Sequence, residues 1–236
     1  MTEAHSLILV VSAHPDDVDF GAAGSVARWC EEGNRVSYLI LTDGDAGGFD
    51  PAVPRTEIAG IRRVEQRRAA AEVGVEEVEF LGYPDGALVA DLALRRDIAR
   101  AIRRHRPDRV VCQSPERDYT RLAASHPDHL AAGSAALGAV YPDARNPFAF
   151  PELLAEGFEP HAAGEVWLMA HPSATVYVDI TTTIDKKLAA IAAHESQLPD
   201  PEATAARVLG WTSATAKAGG LPEGHFAEAF YVATLP

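Results

Sequence analysis

Disulfides and membrane-spanning segments are the first features that this 236-residue sequence lacks. It has two cysteines, Cys30 and Cys112, which do not stand in a CxxC spacing. Lone cysteines of this kind are typical of buried, reduced thiols, so the sequence predicts no disulfide framework and favours the cytoplasm. No apolar run approaches the roughly 20 residues that cross a bilayer. The opening residues, MTEAHS, contain no basic region followed by an apolar stretch, so we expect no secretory signal.

Positive charge is also scarce. The chain has 21 Lys and Arg residues against 34 Asp and Glu residues, which gives a formal net charge of -13. Nucleic acids and anionic membrane surfaces are bound by concentrated basic faces, so neither is expected as a partner. A small substrate held by a local arginine remains compatible with this charge.

The composition is that of a globular protein, with 47% hydrophobic and 23% charged residues. Apolar, β-branched runs alternate with longer helical patterns. The patterns predict strands at 6–13, 35–42, 77–83, 109–114, 165–170 and 174–180, helices at 20–32, 58–73, 92–105, 126–140 and 184–197, and a Pro-rich loop at 141–152. We assign no element after Gln197. This alternation predicts an α/β fold, a Rossmann-like, mostly parallel sheet with helices on both faces. No repeat or linker divides the chain, so we expect one domain, 1–236.

Acidic residues and histidines follow the predicted strands. The first strand ends in AHPDD (13–17), the second in TDGDAGG (42–48) and the third in YPDG (83–86), and SHPDH (125–129) comes after the fourth. In an open α/β sheet, ligands bind beyond the carboxyl ends of the strands. The sequence therefore places its chemistry-bearing residues at the edge where a site is expected.

Two adjacent carboxylates, Asp16 and Asp17, follow the apolar first strand. Such a pair is costly beside an apolar segment unless a positive group lies between the two. A divalent metal ion would supply that charge. His14, Asp17 and His129 offer the nitrogen and oxygen ligands that zinc takes, with a fourth position left for water. Asp16 would then face that water.

The SHPDH segment also has a purely structural interpretation. Ser125 is a good helix N-cap, Pro127 is tolerated in a first turn, and Asp128 completes a capping pattern. That interpretation leaves the two histidines unexplained, because His126 and His129 project from one face of the first turn. The alternative to a metal site is a solvated helix cap with a coincidental acidic turn nearby.

The order of AHPDD after the first strand and HPDH at a later helix start resembles the PIG-L, or LmbE-like, zinc-dependent de-N-acetylases. TDGDAGG, the segment RRVEQRRAAAEVGV and LGYPDG are similar to further segments of that family. The resemblance covers most of the chain. It implies hydrolysis of the acetamide of an N-acetylated amino sugar or its conjugate, with Zn2+, or another divalent transition metal such as Fe2+, as cofactor. It also implies a homo-oligomer, as a trimer or hexamer.

The resemblance also implies roles for individual residues. The metal ligands would be His14, Asp17 and His129, and Asp16 would be the general base. His126 would act as general acid or polarise the developing oxyanion, with Asp128 orienting it through a charged pairing. Arg62 would contact the substrate. The chain departs from the mycothiol-pathway members at Ala124, where they carry a tyrosine.

Two further residues are candidates for substrate binding. Asp85 could bind a sugar hydroxyl, although Pro-Asp-Gly is equally a turn signal. His171 ends a predicted strand and could reach the edge of the site. We interpret His194, on a predicted helix, as a packing residue.

Two other functions remain open at the level of the sequence. A metal-dependent phosphoesterase also places Asp and His at strand ends, but it usually needs two metals and more carboxylates. A non-catalytic sugar-binding module with a structural metal would leave Asp16 without a role.

Overall fold

Seven strands form a single sheet in the computed structural model, which describes residues 5–235. The strands are β1 (Leu7–Ser12), β2 (Arg35–Thr42), β3 (Glu77–Tyr83), β4 (Arg109–Gln113), β5 (Glu165–Met169), β6 (Val176–Asp179) and β7 (Ala227–Thr234). Their order across the sheet is β3-β2-β1-β4-β5-β7-β6. The first five are parallel, and β7 is antiparallel to both β5 and β6.

Helices cover both faces of this sheet. They are α1 (Asp17–Glu31), α2 (Arg55–Glu72), α3 (Leu92–His105), α4 (Pro127–Gly138), α5 (Pro151–Ala155), α6 (Ile184–Ala192) and α7 (Pro201–Ala218). Alternate residues of β1 point to opposite faces, as strand geometry requires. Val10 packs in a core with α1, α2 and α6, whereas Leu9 packs in a second core with α3 and α4. The predicted fold class is therefore confirmed.

The predicted bounds match the structure closely for β2, β3 and α3. Helix α1 begins at Asp17, three residues before its predicted start, because the AHPDD turn leads directly into it, with Asp16 as the N-cap. Helix α4 gives way after Gly138 to a π-helical segment, and α6 ends at Ala192 before a short 3-10 turn over Glu195–Gln197. The short α5, which was not predicted, begins at the end of the Pro-rich segment and extends beyond it to Ala155.

The largest difference concerns the end of the chain. Helix α7 and strand β7 were not predicted, yet β7 lies between β5 and β6. The sequence of β7, AEAFYVAT, begins with residues of weak strand propensity. Pairing with two neighbouring strands fixes it as a strand, and this pairing is a tertiary interaction that no local pattern records.

The parallel order brings the ends of β1, β2, β3 and β4 to one edge, where the polar segments lie. Among residues 5–235, we find no helix both long and apolar enough to span a membrane. The expectation about a secretory signal concerns in part residues 1–4, which lie outside the described range.

Candidate metal centre and active site

The turn after β1 presents His14, Asp16 and Asp17 from consecutive positions. The amide of His14 donates a hydrogen bond to Oδ2 of Asp17, 2.7 Å away, which closes the turn. Asp16 takes a left-handed backbone conformation, with φ of 89°, and its carbonyl accepts the first hydrogen bonds of α1. A non-glycine residue in this region is strained and is often found at functional sites. The two neighbouring carboxylates contact different partners, Arg62 for Asp16 and His14 for Asp17.

Asp17 connects the two histidine motifs. Its Oδ2 lies 3.3 Å from Nδ1 of His14, and its Oδ1 lies 3.0 Å from Nε2 of His129. Nδ1 of His129 lies 3.3 Å from the carbonyl oxygen of Ala124, which can only accept, so Nδ1 carries the proton. This leaves Nε2 of His129 available as a ligand, in the arrangement usual for metal-bound histidine.

The other side of His14 faces two more carboxylates. Its Nε2 lies 3.0 Å from Oδ1 of Asp85 and 3.2 Å from Oδ2 of Asp128. The Asp128 carboxylate also accepts hydrogen bonds from the amides of Gly86 and Leu88, at 2.7 and 3.2 Å. The turn after β3 is thereby fixed against the start of α4, with His14 between them.

These carboxylates determine the ionisation of the imidazoles. Burial lowers the pKa of His14, but Asp17 and Asp85 outweigh it and raise that pKa to about 11. Burial likewise opposes the charge on His129, and Asp17 raises its pKa. Burial would raise the pKa of Asp17, but His129 and His14 hold it well below its usual range. Protonated imidazoles therefore balance the buried carboxylates when no metal does so.

The donor set suits a divalent transition metal. Nitrogen atoms of His14, His126 and His129 lie within 4.8 Å of one another, and ligand atoms of His14, Asp85 and Asp128 form a second such group. Asp17 belongs to neither group. Ligands about 2.1 Å from a tetrahedral zinc lie roughly 3.4 Å apart, and the contacts of Asp17 with the two imidazoles are close to this spacing. Imidazole with carboxylate is a donor set that zinc and iron(II) both accept.

Asp16 is held by a buried arginine. Nη2 of Arg62 donates to Oδ2 of Asp16 at 2.9 Å and to the carbonyl of Pro15 at 2.6 Å, while Nη1 donates to the carbonyl of Gly44. Burial raises the pKa of Asp16 to about 6, and Arg62 limits the rise. The Arg62 residue is only 4% exposed. It therefore lies beneath the site and holds Asp16, which differs from the expected substrate contact.

The structure also corrects the expected pairing of His126 with Asp128. Nδ1 of His126 accepts a hydrogen bond from the backbone amide of Asp128 at 3.2 Å, so His126 is itself the N-cap of α4. The Asp128 carboxylate contacts His14 instead. Burial lowers the pKa of His126, and the charges of His14 and His129 lower it further. A neutral ring whose Nδ1 accepts carries its proton on Nε2, so His126 is a neutral donor.

The two candidates for substrate binding are placed differently. Asp85 lies in the site, but its carboxylate is occupied by His14 and by the amide of Ala46. His171 stacks on Tyr231, with ring centroids 4.4 Å apart, and lies 3.5 Å from a carboxylate oxygen of Glu116. Among the described residues, it contacts none of the three predicted metal ligands. A role for either residue in substrate binding remains a prediction.

Sequence reasoning missed the support behind Asp16. Oε1 of Gln66 accepts the amide of Asp16 at 2.7 Å, and the buried side chain of Asp19 contacts both Gln66 and His194. Gln113 accepts the amide of Ala13, before the turn. Gln66, Gln113 and His194 come from distant parts of the chain, and only the fold brings them together.

Comparison with known proteins agrees with this geometry. The family model PIG-L, described as GlcNAc-PI de-N-acetylase, matches residues 9–140, which include both histidine motifs. The chain belongs to the PIG-L family. It is 34% identical over 194 residues to the diacetylchitobiose deacetylase of Thermococcus kodakarensis, covering 82% of this chain and 70% of that protein.

Two solved structures extend the likeness to the whole fold. The N,N'-diacetylchitobiose deacetylase of Pyrococcus horikoshii superposes with a TM-score of 0.89 at 28% identity, covering 97% of this chain and 84% of that one. The 4-carboxy-2-hydroxymuconate hydratase GalB of Pseudomonas putida KT2440 superposes with a TM-score of 0.80 at 25% identity, covering 98% and 97%. The expectation of a hydrolase of the de-N-acetylase class is confirmed by the family, and the comparisons lend no support to a phosphoesterase or a non-catalytic module.

Proposed function

We propose that this chain is a metal-dependent de-N-acetylase that removes the acetyl group from an N-acetylglucosaminyl substrate. The observation that carries the proposal is the convergence of the AHPDD and HPDH motifs. Ring centroids of His14, His126 and His129 lie 5.1 to 5.4 Å apart, with the largely buried carboxylate of Asp17 between two of them. The relatives named as diacetylchitobiose deacetylases support the amino-sugar substrate.

His14, Asp17 and His129 would hold the metal, and zinc fits these donors. When bound, such an ion lowers the pKa of water and polarises an amide carbonyl. It would also neutralise the carboxylates that the protonated imidazoles balance in its absence.

Asp16 is the residue that takes the proton of the attacking water. Its pKa of about 6 leaves it ionised at neutral pH, and its carboxylate remains basic enough to accept a proton. Arg62 bonds Oδ2, which leaves Oδ1 to accept that proton. The strained backbone at Asp16 directs its carboxylate independently of Asp17.

His126 is the residue that stabilises the oxyanion of the attacked carbonyl. Its neutral ring donates from Nε2, because Nδ1 is occupied by the backbone amide of Asp128. The proton that Asp16 takes from the attacking water is then passed to the leaving amine, so His126 stays neutral throughout. A neutral donor at a helix start also avoids the cost of a positive charge at the positive end of the helix dipole.

A direct assay tests this proposal. The zinc-loaded protein is incubated with N,N'-diacetylchitobiose, and the free amine and acetate are measured together. Equal amounts of both products are expected, and Asp16→Asn should abolish their formation while retaining zinc. Addition of water to a double bond, the reaction named for GalB, would release neither product. Absence of amine from a panel of N-acetylglucosaminyl compounds would contradict the proposal.

The proposal also includes a cellular location and an oligomeric state. A cytoplasmic location is supported by Cys30 and Cys112, which are both free thiols. A homo-oligomer is supported by exposed apolar side chains on and beside α2, where Phe49, Ile61 and Val64 are 70%, 41% and 49% exposed. Sedimentation of the metal-loaded protein distinguishes a monomer from a trimer or hexamer.

A further inference from the structure

A buried chain of hydrogen bonds leads from His194 to Asp16. Nε2 of His194 lies 2.8 Å from Oδ2 of Asp19, and the same oxygen accepts a hydrogen bond from Nε2 of Gln66 at 2.8 Å. Oε1 of Gln66 in turn accepts the backbone amide of Asp16 at 2.7 Å. His194, Asp19 and Gln66 are each 0% exposed. Solvent therefore cannot replace any link of this chain.

In this series of hydrogen bonds, each donor and each acceptor is determined. An ionised carboxylate only accepts hydrogen bonds, so Asp19 requires the NH2 end of the Gln66 amide and an N–H of His194. Once the NH2 group of Gln66 faces Asp19, its oxygen must face the amide of Asp16. His194 shares the buried charge of Asp19 and thereby stabilises the acceptor that orients Gln66.

Asp16 needs such support because of its backbone. Its φ of 89° is a conformation that non-glycine residues rarely adopt. Strained conformations persist only where the surrounding structure holds them. The amide of Asp16 is the group that Gln66 holds, and rotation of this residue would redirect its carboxylate away from the reacting water.

His194 reaches this place from a distant part of the chain. It stands between α6 and the 3-10 turn Glu195–Gln197, outside the residues 9–140 that match the family model. Ser196, in the middle of this turn, donates hydrogen bonds from its amide and hydroxyl to Glu65, both at 2.7 Å. Glu65 and Gln66 are neighbours on α2, the helix that also carries Arg62. The segment after α6 is therefore fastened to the helix behind Asp16 at two adjacent positions.

Two polar atoms of the His194–Asp19 pair, at the far end of these hydrogen bonds from Asp16, have no hydrogen-bond partner among the described residues. They are Nδ1 of His194 and Oδ1 of Asp19, both buried. An apolar side chain at this position would remove the unpaired Nδ1, but it would also take from the buried carboxylate of Asp19 the N–H that it accepts. The retained imidazole points to a task that needs its N–H.

We propose that His194 is a positioning residue that holds the strained backbone of Asp16 through Asp19 and Gln66. It touches neither the substrate nor the metal ligands' side chains. The expected effect on turnover rests on the proposed function of Asp16 as the general base. The expected effect on the backbone of Asp16 does not depend on that function.

The test compares His194→Leu, which removes the N–H, with His194→Gln, which can present an N–H at a similar reach. Thr183→Val is the matched control. Thr183 is also 0% exposed, and its hydroxyl donates to the carbonyl of Gly24 at 2.8 Å. This variant therefore loses a buried hydrogen bond between α1 and the start of α6 that does not belong to the series from His194 to Asp16. Amide hydrogen exchange at Asp16 is measured by NMR, and kcat, KM and zinc content are measured on the same samples.

The expected result is that exchange at Asp16 becomes at least tenfold faster in His194→Leu and returns to the wild-type rate in His194→Gln. We expect kcat to fall at least tenfold in His194→Leu, with KM and zinc content within twofold of wild type. Thr183→Val should leave both the exchange at Asp16 and kcat unchanged. Gln66→Met breaks the same chain one link nearer to Asp16 and should accelerate the exchange equally, which keeps the test open if His194→Leu does not fold.

Unchanged exchange at Asp16 in His194→Leu, or equal acceleration in Thr183→Val, would overturn the inference whatever happens to turnover. If the wild-type protein releases no amine, the proposed function fails, and the exchange measurement still decides the role of His194.

Discussion

The side chain of His126 is hydrogen-bonded to the backbone amide of Asp128 and not to the Asp128 carboxylate. The amide of Asp128 donates to Nδ1 of His126 at 3.2 Å, while the Asp128 carboxylate lies 3.2 Å from Nε2 of His14. The Asp128 carboxylate therefore supports His14, a proposed metal ligand, and the His126 imidazole is left as a neutral donor.

Replacing Asp128 should accordingly affect the metal. Asp128→Ala removes the acceptor for His14 and for the amides of Gly86 and Leu88. Loss of such support for a metal ligand typically costs about 10 to 100-fold in metal affinity. Competition with a zinc chelator measures the change. Unaltered zinc affinity would contradict the role of Asp128 in supporting His14.

The two histidines of the HPDH motif should separate by function. His126→Ala should keep zinc and lose about 10²–10³ in kcat, the usual cost of an oxyanion donor. His129→Ala should lose zinc. Elemental analysis and amine release distinguish the two, and His225→Ala, whose ring pairs with Asp179, serves as the control. Full zinc content in His129→Ala would contradict the ligand assignment.

The charge of Arg62 should set the acid limb of the pH–rate profile. The reaction needs Asp16 ionised, so kcat/KM rises as pH increases through the pKa of Asp16, which is about 6 without a metal and is lowered by a bound cation. Arg62 lowers this pKa, so Arg62→Met should move the limb to higher pH.

Arg62→Lys retains the charge and is the matched variant for this measurement. Its acid limb should lie nearer to that of the wild type. A limb that Arg62→Met leaves in place would exclude Asp16 as the titrating base.

Metal binding should release protons. Without a metal, the pKa of His14 is about 11 and that of His129 is raised, so protonated imidazole at neutral pH must lose its proton to become a ligand. Zinc affinity should therefore fall as pH falls. Calorimetry in two buffers of different ionisation enthalpy counts the protons, and heats that do not depend on the buffer would contradict this expectation.

Adjacent lysines on α6 should contribute very differently to stability. Lys187 is 0% exposed and donates to Glu228 at 2.6 Å and to two carbonyls of α1. Lys187→Met leaves the buried carboxylate of Glu228 without a counter-charge, and we expect a loss of about 3–5 kcal/mol in the free energy of unfolding. Chemical denaturation measures it.

The control for this prediction is the preceding residue, Lys186. Lys186 forms a half-exposed ion pair with Glu31, and such pairs contribute about 0–1 kcal/mol, so Lys186→Met should change little. Equal losses in the two variants would show that burial of the pair is unimportant.

The sequence by itself determined the elements whose signal is local. Strand β2 and helix α3 follow from β-branched runs and from helical periodicity, and their bounds agree with the structure. The alternation of such elements fixed the parallel sheet, and with it the edge at which AHPDD and HPDH meet. Adjacent carboxylates beside an apolar strand were enough to indicate a cation.

Only the tertiary structure decided which groups these side chains face. The place of β7 depends on pairing with two strands far away in sequence. Arg62 supports Asp16, and is not the substrate contact expected from the sequence, because it is buried between two loops. The distinction between Asp128 acting on His126 and on His14 depends on which imidazole the fold brings to the Asp128 carboxylate. Local sequence sets backbone preferences, but side-chain hydrogen bonds are chosen from partners that the fold brings together, and those partners are not neighbours in the chain.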